Sequence, residues 1–147
     1  MILPVLLSTA ATIGFAFIFK IKGISILFAG IGGGLGWLLY LLLDNLGSSF
    51  ILSYFLAAFG IGLYAEFAAR FLKRSPAVLI ACGIIPLVPG EGVYRTMAFA
   101  IHNKLDESIS TGAKTLAIAA GIGAGIAFAA SITKLFIYFL SPSSRKE

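Results

Sequence analysis

Charge is scarce in this chain of 147 residues: 12% of them are charged, eleven Lys or Arg against six Asp or Glu. That is about half the share carried by a soluble domain, and too little polar surface to cover the core of so small a protein. Cysteine occurs once, as Cys82, so no intramolecular disulfide can form, and the residue reads as a small buried filler. Histidine also occurs once, as His102. With no cluster of carboxylates beside it there is no metal site to assemble, and no cofactor is implied. Neither a Gly-x-Ser-x-Gly elbow nor a Ser/His/Asp set can be built, so bond-making chemistry finds no support. What fills the chain instead is apolar: 59% hydrophobic residues, seventeen Gly, and a mean hydropathy of +1.02. A free soluble enzyme and a disordered chain are both excluded. An integral membrane protein is left.

The apolar residues fall into blocks of spanning length. The first runs from Ile2 to Phe19, with Pro4 in its first turn, where a missing N–H costs little. Having no basic residues ahead of it, it reads as a retained span and not as a cleavable signal. Others cover Gly23 to Leu43, Phe50 to Leu72, and Thr115 to about Leu140. A block starting at Ala77 meets Pro86, Pro89 and Gly90 too soon to cross unbroken. None alternates with the period of two that barrel strands need. Between Val93 and Thr111, Tyr94, Met97, Ala98, Ile101, Leu105 and Ile109 recur at three- and four-residue steps. Arg95, His102, Asn103, Lys104, Asp106 and Glu107 fill the other side, which is an interfacial amphipathic helix. The expected fold is all-α: one integral membrane domain over residues 1–147, about five transmembrane helices, the fourth broken. The net charge of +5 is scattered among the spans, which argues for membrane topology and against nucleic acid. With the N-terminus outside, Lys20, Lys22, Arg70, Lys73, Arg74, Lys134, Arg145 and Lys146 lie inside, against Arg95, Lys104 and Lys114 outside. The positive-inside bias favours N-out and C-in.

Three features invite a role. Gly30 and Gly34, Gly32 and Gly36, and the stripe Ala117–Gly121–Gly125–Ala129 place small residues four apart. Such faces let helices approach where lipid supplies no hydrophobic drive. Glu66 and Arg70 stand four apart in the favourable order for an ion pair. They read as an interfacial pair, or alternatively as a gate or proton relay. The third is Ile85-Pro86-Leu87-Val88-Pro89-Gly90-Glu91-Gly92-Val93-Tyr94-Arg95. An ideal helix through its two prolines would leave the carbonyls of Cys82 and Ile85 without their usual donors. Irregular backbone at membrane depth belongs inside protein or beside a watery cavity, where a polar solute or ion can bind. Glu91, if partly buried, is a candidate proton carrier, with Arg95 as its partner or as a clamp for a substrate carboxylate. The alternative is a simple kink before an interfacial helix.

Ile85-Pro86-Leu87-Val88-Pro89-Gly90 followed by Tyr94 resembles the signature of the threonine/serine exporter family. The chain is similar above all to the small membrane subunit of the split, two-component form, which corresponds to the C-terminal half of the single-chain exporters. The resemblance covers most of the chain and extends to Pro86, Pro89, Gly90 and Tyr94, while Arg95 matches the Tyr-Arg of some single-chain members. Glu91 departs from the pattern, which has a small or apolar residue there. The resemblance implies secondary export of threonine and serine, or of a small dicarboxylate such as succinate, driven by proton exchange across a bacterial inner membrane. It also implies a larger membrane partner subunit. Two rivals stand beside that reading: a non-transporting scaffold for a partner, and a stand-alone homo-oligomeric channel or carrier associating through its glycine stripes.

Overall fold

A computed structural model describes residues 2–140; Arg145 and Lys146 lie outside the described residues. Six α-helices and no strand occur among the described residues: α1 (Ile2–Ile18), α2 (Ser25–Asn45), α3 (Phe50–Leu72), α4 (Pro76–Ile84), α5 (Gly90–Ile101) and α6 (Leu105–Leu140). A single 3-10 turn, Ile85–Leu87, follows α4. Four of the helices stop in the same way. Past each end a residue turns left-handed (Lys20, Gly47, Lys73, Asn103), and the N–H of the next residue reaches back to the last turn. These bonds are Ile21 N–H to Ala16 O at 3.0 Å, Ser48 to Leu43 at 3.2 Å, Arg74 to Ala69 at 2.9 Å and Lys104 to Phe99 at 2.9 Å. Carbonyls that a helix end leaves orphaned are thereby satisfied without side-chain help.

The packing is inside-out relative to a water-soluble protein. Alanines dominate the buried apolar residues, with Ser8, Thr12, Ser53 and Thr133 buried beside them, while Leu3, Leu6, Phe17, Phe71, Leu116 and Phe139 face outward. Small residues draw helix backbones together, and large apolar ones meet the lipid. On α2, a Cβ at Gly30, Gly33 or Gly34 would strike Ile13, Thr12 or Thr9 of antiparallel α1. The Ser8 hydroxyl donates to Gly33 O at 3.0 Å across that contact. Gly32 and Gly36, on the neighbouring side of α2, lie against Tyr64 and Ile61 of α3. The largest interface is α3 with α6. Gly121 sits over Ile51, Gly125 over the Phe55 carbonyl and Ala129 over Gly62, so these two helices run parallel.

Three helices, α2, α3 and α6, are long and apolar enough to cross a membrane; α4 with α5 passes the same test as a pair bent by 51°, which is either a broken fourth span or a re-entrant loop. With 17 residues, α1 stands at the lower limit of spanning length, so a five-helix count depends on including it. The all-α polytopic reading is what the structure shows.

One boundary differs from expectation. The amphipathic segment 93–111 and a separate span from Thr115 do not exist as such. Asn103, at φ 58°, ends the first helix, and α6 then continues unbroken for 36 residues. No Gly-Pro or Asn-Gly stop intervenes around Thr111, and Asp106 and Glu107 favour a helix start by facing the positive end of its dipole. At 1.5 Å per residue α6 is about 54 Å long, well beyond a hydrocarbon core of about 30 Å. Its first turns pair with α5 as an antiparallel hairpin: Gly92 packs on Thr115, Gly112 on Thr96, and the Ser108 hydroxyl donates to Thr96 O at 2.9 Å.

Candidate functional site

The break between α4 and α5 is compact. Ile85–Leu87 winds as a 3-10 turn, Val88 is extended (ψ 126°), and Pro89 precedes the first residue of α5. The carbonyls expected to lose their donors do not. Cys82 O accepts from Ile85 N–H, Ile85 O accepts from Val88 N–H at 3.2 Å, and Val88 O accepts from Gly90 N–H at 2.8 Å. Tightening to shorter-range bonds repairs what the prolines remove, so those two carbonyls are not left open for a solute. Leu87, 1% exposed, pins the break into a buried cluster with Tyr40, Ala57, Ile61 and Ile118.

Beyond the break α5 sets off at an angle and opens a cavity of about 530 Å³ against the start of α3 and the first turns of α6. Pro89, Glu91 and Arg95 reach it from α5, Tyr54 from α3, and Glu107 and Lys114 from α6. Ser110, Thr111 and Thr115 add hydroxyls, though Ser110 donates to Glu107 O at 3.1 Å and Thr115 to Thr111 O at 2.8 Å. Two carboxylates and two cations thus face one apolar-floored space. The Glu91–Arg95 pair closes at 2.8 Å with side chains 75% and 61% exposed. Glu91 is therefore not partly buried by this chain, which corrects the premise for its proton role: any desolvation has to come from something laid over it. Below the floor, Tyr54 packs on Tyr40 with ring centroids 4.6 Å apart, and Tyr40 on Trp37 at 5.2 Å. The Trp37 indole N–H is buried without a hydrogen-bond partner among the described residues.

The structure separates other residues from this cavity. Pro86 lies behind it, half-buried in the turn, and Gly90 opens α5 with free space where a Cβ would stand. Tyr94, expected to shape the cavity, is not in its lining and is 73% exposed on α5, where Met97 and Ile101 are exposed too; Leu105 and Ile109, also exposed, belong to α6. At 100° per residue Tyr94 stands about 100° round the helix from Arg95 and about 60° from Glu91, on the side of Glu91 away from Arg95. Glu66 and Arg70 sit at the opposite end of α3, 3.8 Å apart, with side-chain exposures of 15% and 42%. Gly30, Gly34, Gly121 and Gly125 lie in helix contacts, away from the cavity. Sequence reasoning missed Tyr54, Glu107, Lys114 and Thr115. A signal existed: Glu107, Thr111, Lys114 and Ile118 follow helical spacing along one face of α6. Dividing the segment between an interfacial helix and a span hid it.

A bundle with alanine and glycine at its contacts, large apolar side chains outside, and a charged cavity beside a bent helix pair defines a polytopic α-helical membrane protein. Residues 4–132 match the family described as "Threonine/Serine exporter, ThrE", and the chain belongs to that family. It is also 30% identical over 104 residues to a "Probable threonine/serine exporter" of Mycobacterium tuberculosis, the match covering 69% of this chain and 20% of that protein. The chain therefore spans about a fifth of that relative's length. No solved structure matches it.

Proposed function

We propose that the chain is the small membrane subunit of a secondary exporter of small hydrophilic metabolites, with the α3–α5–α6 cavity on its solute path. The observation that carries this reading is the balance of charge in that cavity: Arg95 and Lys114 facing Glu91 and Glu107. An amino-acid zwitterion matches it, with its carboxylate on the cations, its ammonium on the carboxylates, and a serine or threonine hydroxyl among Ser110, Thr111 and Tyr54. Succinate matches it less well, because its two carboxylates would meet Glu91 and Glu107 as well as the cations. A larger membrane partner subunit covers the exposed apolar residues of the α5–α6 hairpin, Tyr94, Met97 and Ile101 on α5 with Leu105 and Ile109 on α6, desolvating Glu91 and Arg95 beside them. Export runs against proton entry through a bacterial inner membrane, with the N-terminus outside. Glu66, 15% exposed within α3, is the carboxylate through which the bundle would pass the proton.

Cells lacking other exporters and expressing both subunits should release threonine or serine when fed a dipeptide containing it. Arg95→Gln and Glu91→Gln should each cut release at least about tenfold at equal abundance, since each leaves a charged partner unmatched in the loaded cavity. Parental release by both variants would overturn the site. Transport by the larger subunit alone would favour the scaffold, and transport by this chain alone the homo-oligomer.

A further inference from the structure

A second cavity, of about 330 Å³, lies at the other end of the bundle, among the end of α1 and the starts of α2 and α4. Lys20, Lys22 and Arg74 line it, and none of the three has an ion-pair partner among the described residues. Two helix N-termini face the same space. Neither has a side-chain cap: Ile24 precedes α2 with none to offer, and the Ser75 hydroxyl before α4 makes no such bond. The Ile26, Leu27 and Phe28 N–H groups of α2 are taken up by the Gly23 and Ile24 carbonyls, so what these N-termini offer an anion is chiefly the positive end of the helix dipole. An independent feature points to a ligand as well. Ser25, the first residue of α2, lines the cavity at 8% exposure, and its hydroxyl has no hydrogen-bond partner among the described residues. Every other serine buried in the bundle or its hairpin, Ser8, Ser53 and Ser108, donates to a backbone carbonyl. Among the described buried serines, Ser25 is the one whose hydroxyl is not tied to a carbonyl, and it lines a cationic cavity.

The remaining walls say what kind of anion. Phe19, Ile21, Val78 and Leu79 complete the lining, and Phe19 and Val78 are 51% and 43% exposed, so the cavity opens onto the apolar flank of the bundle. A small soluble anion has no use for that flank, whereas a lipid lays its acyl chains along it while its phosphate enters the basic end. We propose that this cavity is a binding site for the phosphate headgroup of an anionic phospholipid, held by Lys20, Lys22, Arg74 and the Ser25 hydroxyl. The site stands apart from the solute cavity and requires only that the chain spans a membrane. It anchors the ends of α2 and α4 to the leaflet, and α4 leads directly into the Pro86–Pro89 break.

The test is native mass spectrometry of the purified full-length protein, titrated in detergent with phosphatidylglycerol, phosphatidylcholine or inorganic phosphate. One phosphatidylglycerol should be retained at least about tenfold more tightly than phosphatidylcholine. Each cation near a lipid phosphate is worth about fivefold in binding, so a Lys20→Gln/Arg74→Gln double variant should lose about 25-fold. Lys73→Gln removes a charge from the same end without lining the cavity, and should stay within about twofold of the parent. Ser25→Ala, which changes no charge and almost no volume, should weaken binding severalfold with an unaltered helical circular-dichroism spectrum. An equal loss in Lys73→Gln would mean diffuse attraction to a basic end, and would overturn the site. So would retention of phosphatidylcholine at the same strength. Displacement of the lipid by millimolar inorganic phosphate would make the cavity a small-anion site and overturn the lipid assignment.

Discussion

At the scale of single residues, glycine has two different meanings in this chain, separable by what a Cβ would strike. Gly125 of α6 faces the Phe55 carbonyl and the Phe59 N–H of α3, both backbone and unable to swing aside, whereas Gly123 faces open space. Gly125→Val should therefore force α3 and α6 apart and destabilise the bundle by about 1–3 kcal/mol or more. Gly123→Ala should stabilise it by up to about 1 kcal/mol through helix propensity alone. Thermal unfolding of the two variants in the same detergent checks the pair, and similar melting temperatures would refute the α3–α6 contact. Trp37 makes a second residue-level case. Its ring packs on Tyr40 but its indole N–H is buried without a partner among the described residues, and a buried donor without an acceptor costs about 1–3 kcal/mol. Trp37→Phe keeps most of the ring and removes the donor, so its melting temperature should equal or exceed the parent's. A clear fall would mean that the N–H is occupied when the protein is loaded.

At the scale of elements, two short irregular segments do most to place the cavity: the Ile85–Pro89 break and the His102–Lys104 turn. The first was legible in the sequence because proline acts locally and leaves a visible mark wherever it falls. The second was not. Asn103 adopts the left-handed conformation at φ 58°, a stop that asparagine offers only weakly, and polar residues on both sides of it fitted an uninterrupted amphipathic helix equally well. The resulting error shifted the start of α6 and hid Glu107 and Lys114, although the spans themselves were readable from hydropathy alone. Tyr54 was hidden for another reason: a tyrosine inside an apolar run looks like core until tertiary packing aims it at α5. Mutation should separate the two devices. Asn103→Ala removes the residue suited to the turn and should cost about 1–2 kcal/mol, read as a lower melting temperature with transport intact at equal abundance. Pro89→Ala restores an N–H and lets α4 run on towards α5. It should hold or raise stability while reducing export several-fold, because a straighter span carries Glu91 and Arg95 off the cavity. A Pro89→Ala variant that exports normally would show that the 51° bend does not serve the solute path.

At the scale of the whole molecule, the two ends of the bundle differ in charge. Lys20, Lys22, Lys73 and Arg74 gather at one end, while the other carries the charge-balanced cavity and the α5–α6 hairpin. If α3 and α6, which run parallel, both cross the membrane, the two ends of the α4–α5 pair lie on opposite sides. A re-entrant pair would return the hairpin to the side of Ser75. These alternatives place His102 on different faces of the membrane, and the chain offers a clean way to tell them apart. Cys82 is its one cysteine and is fully buried among Ala16, Ala29 and Ala65, so Cys82→Ala should cost little and leave a background without thiols. In that background His102→Cys, at the exposed tip of the hairpin, and Ser75→Cys, in the exposed loop before α4, report the two ends separately. With the basic end inside, as the bias of Lys and Arg favours, a membrane-impermeant maleimide added to intact cells should label His102→Cys and spare Ser75→Cys until the membrane is opened. Labelling of both from outside, or of neither, would make the broken pair re-entrant. The Glu91–Arg95 cavity would then have to be reached from the same side as the lipid site.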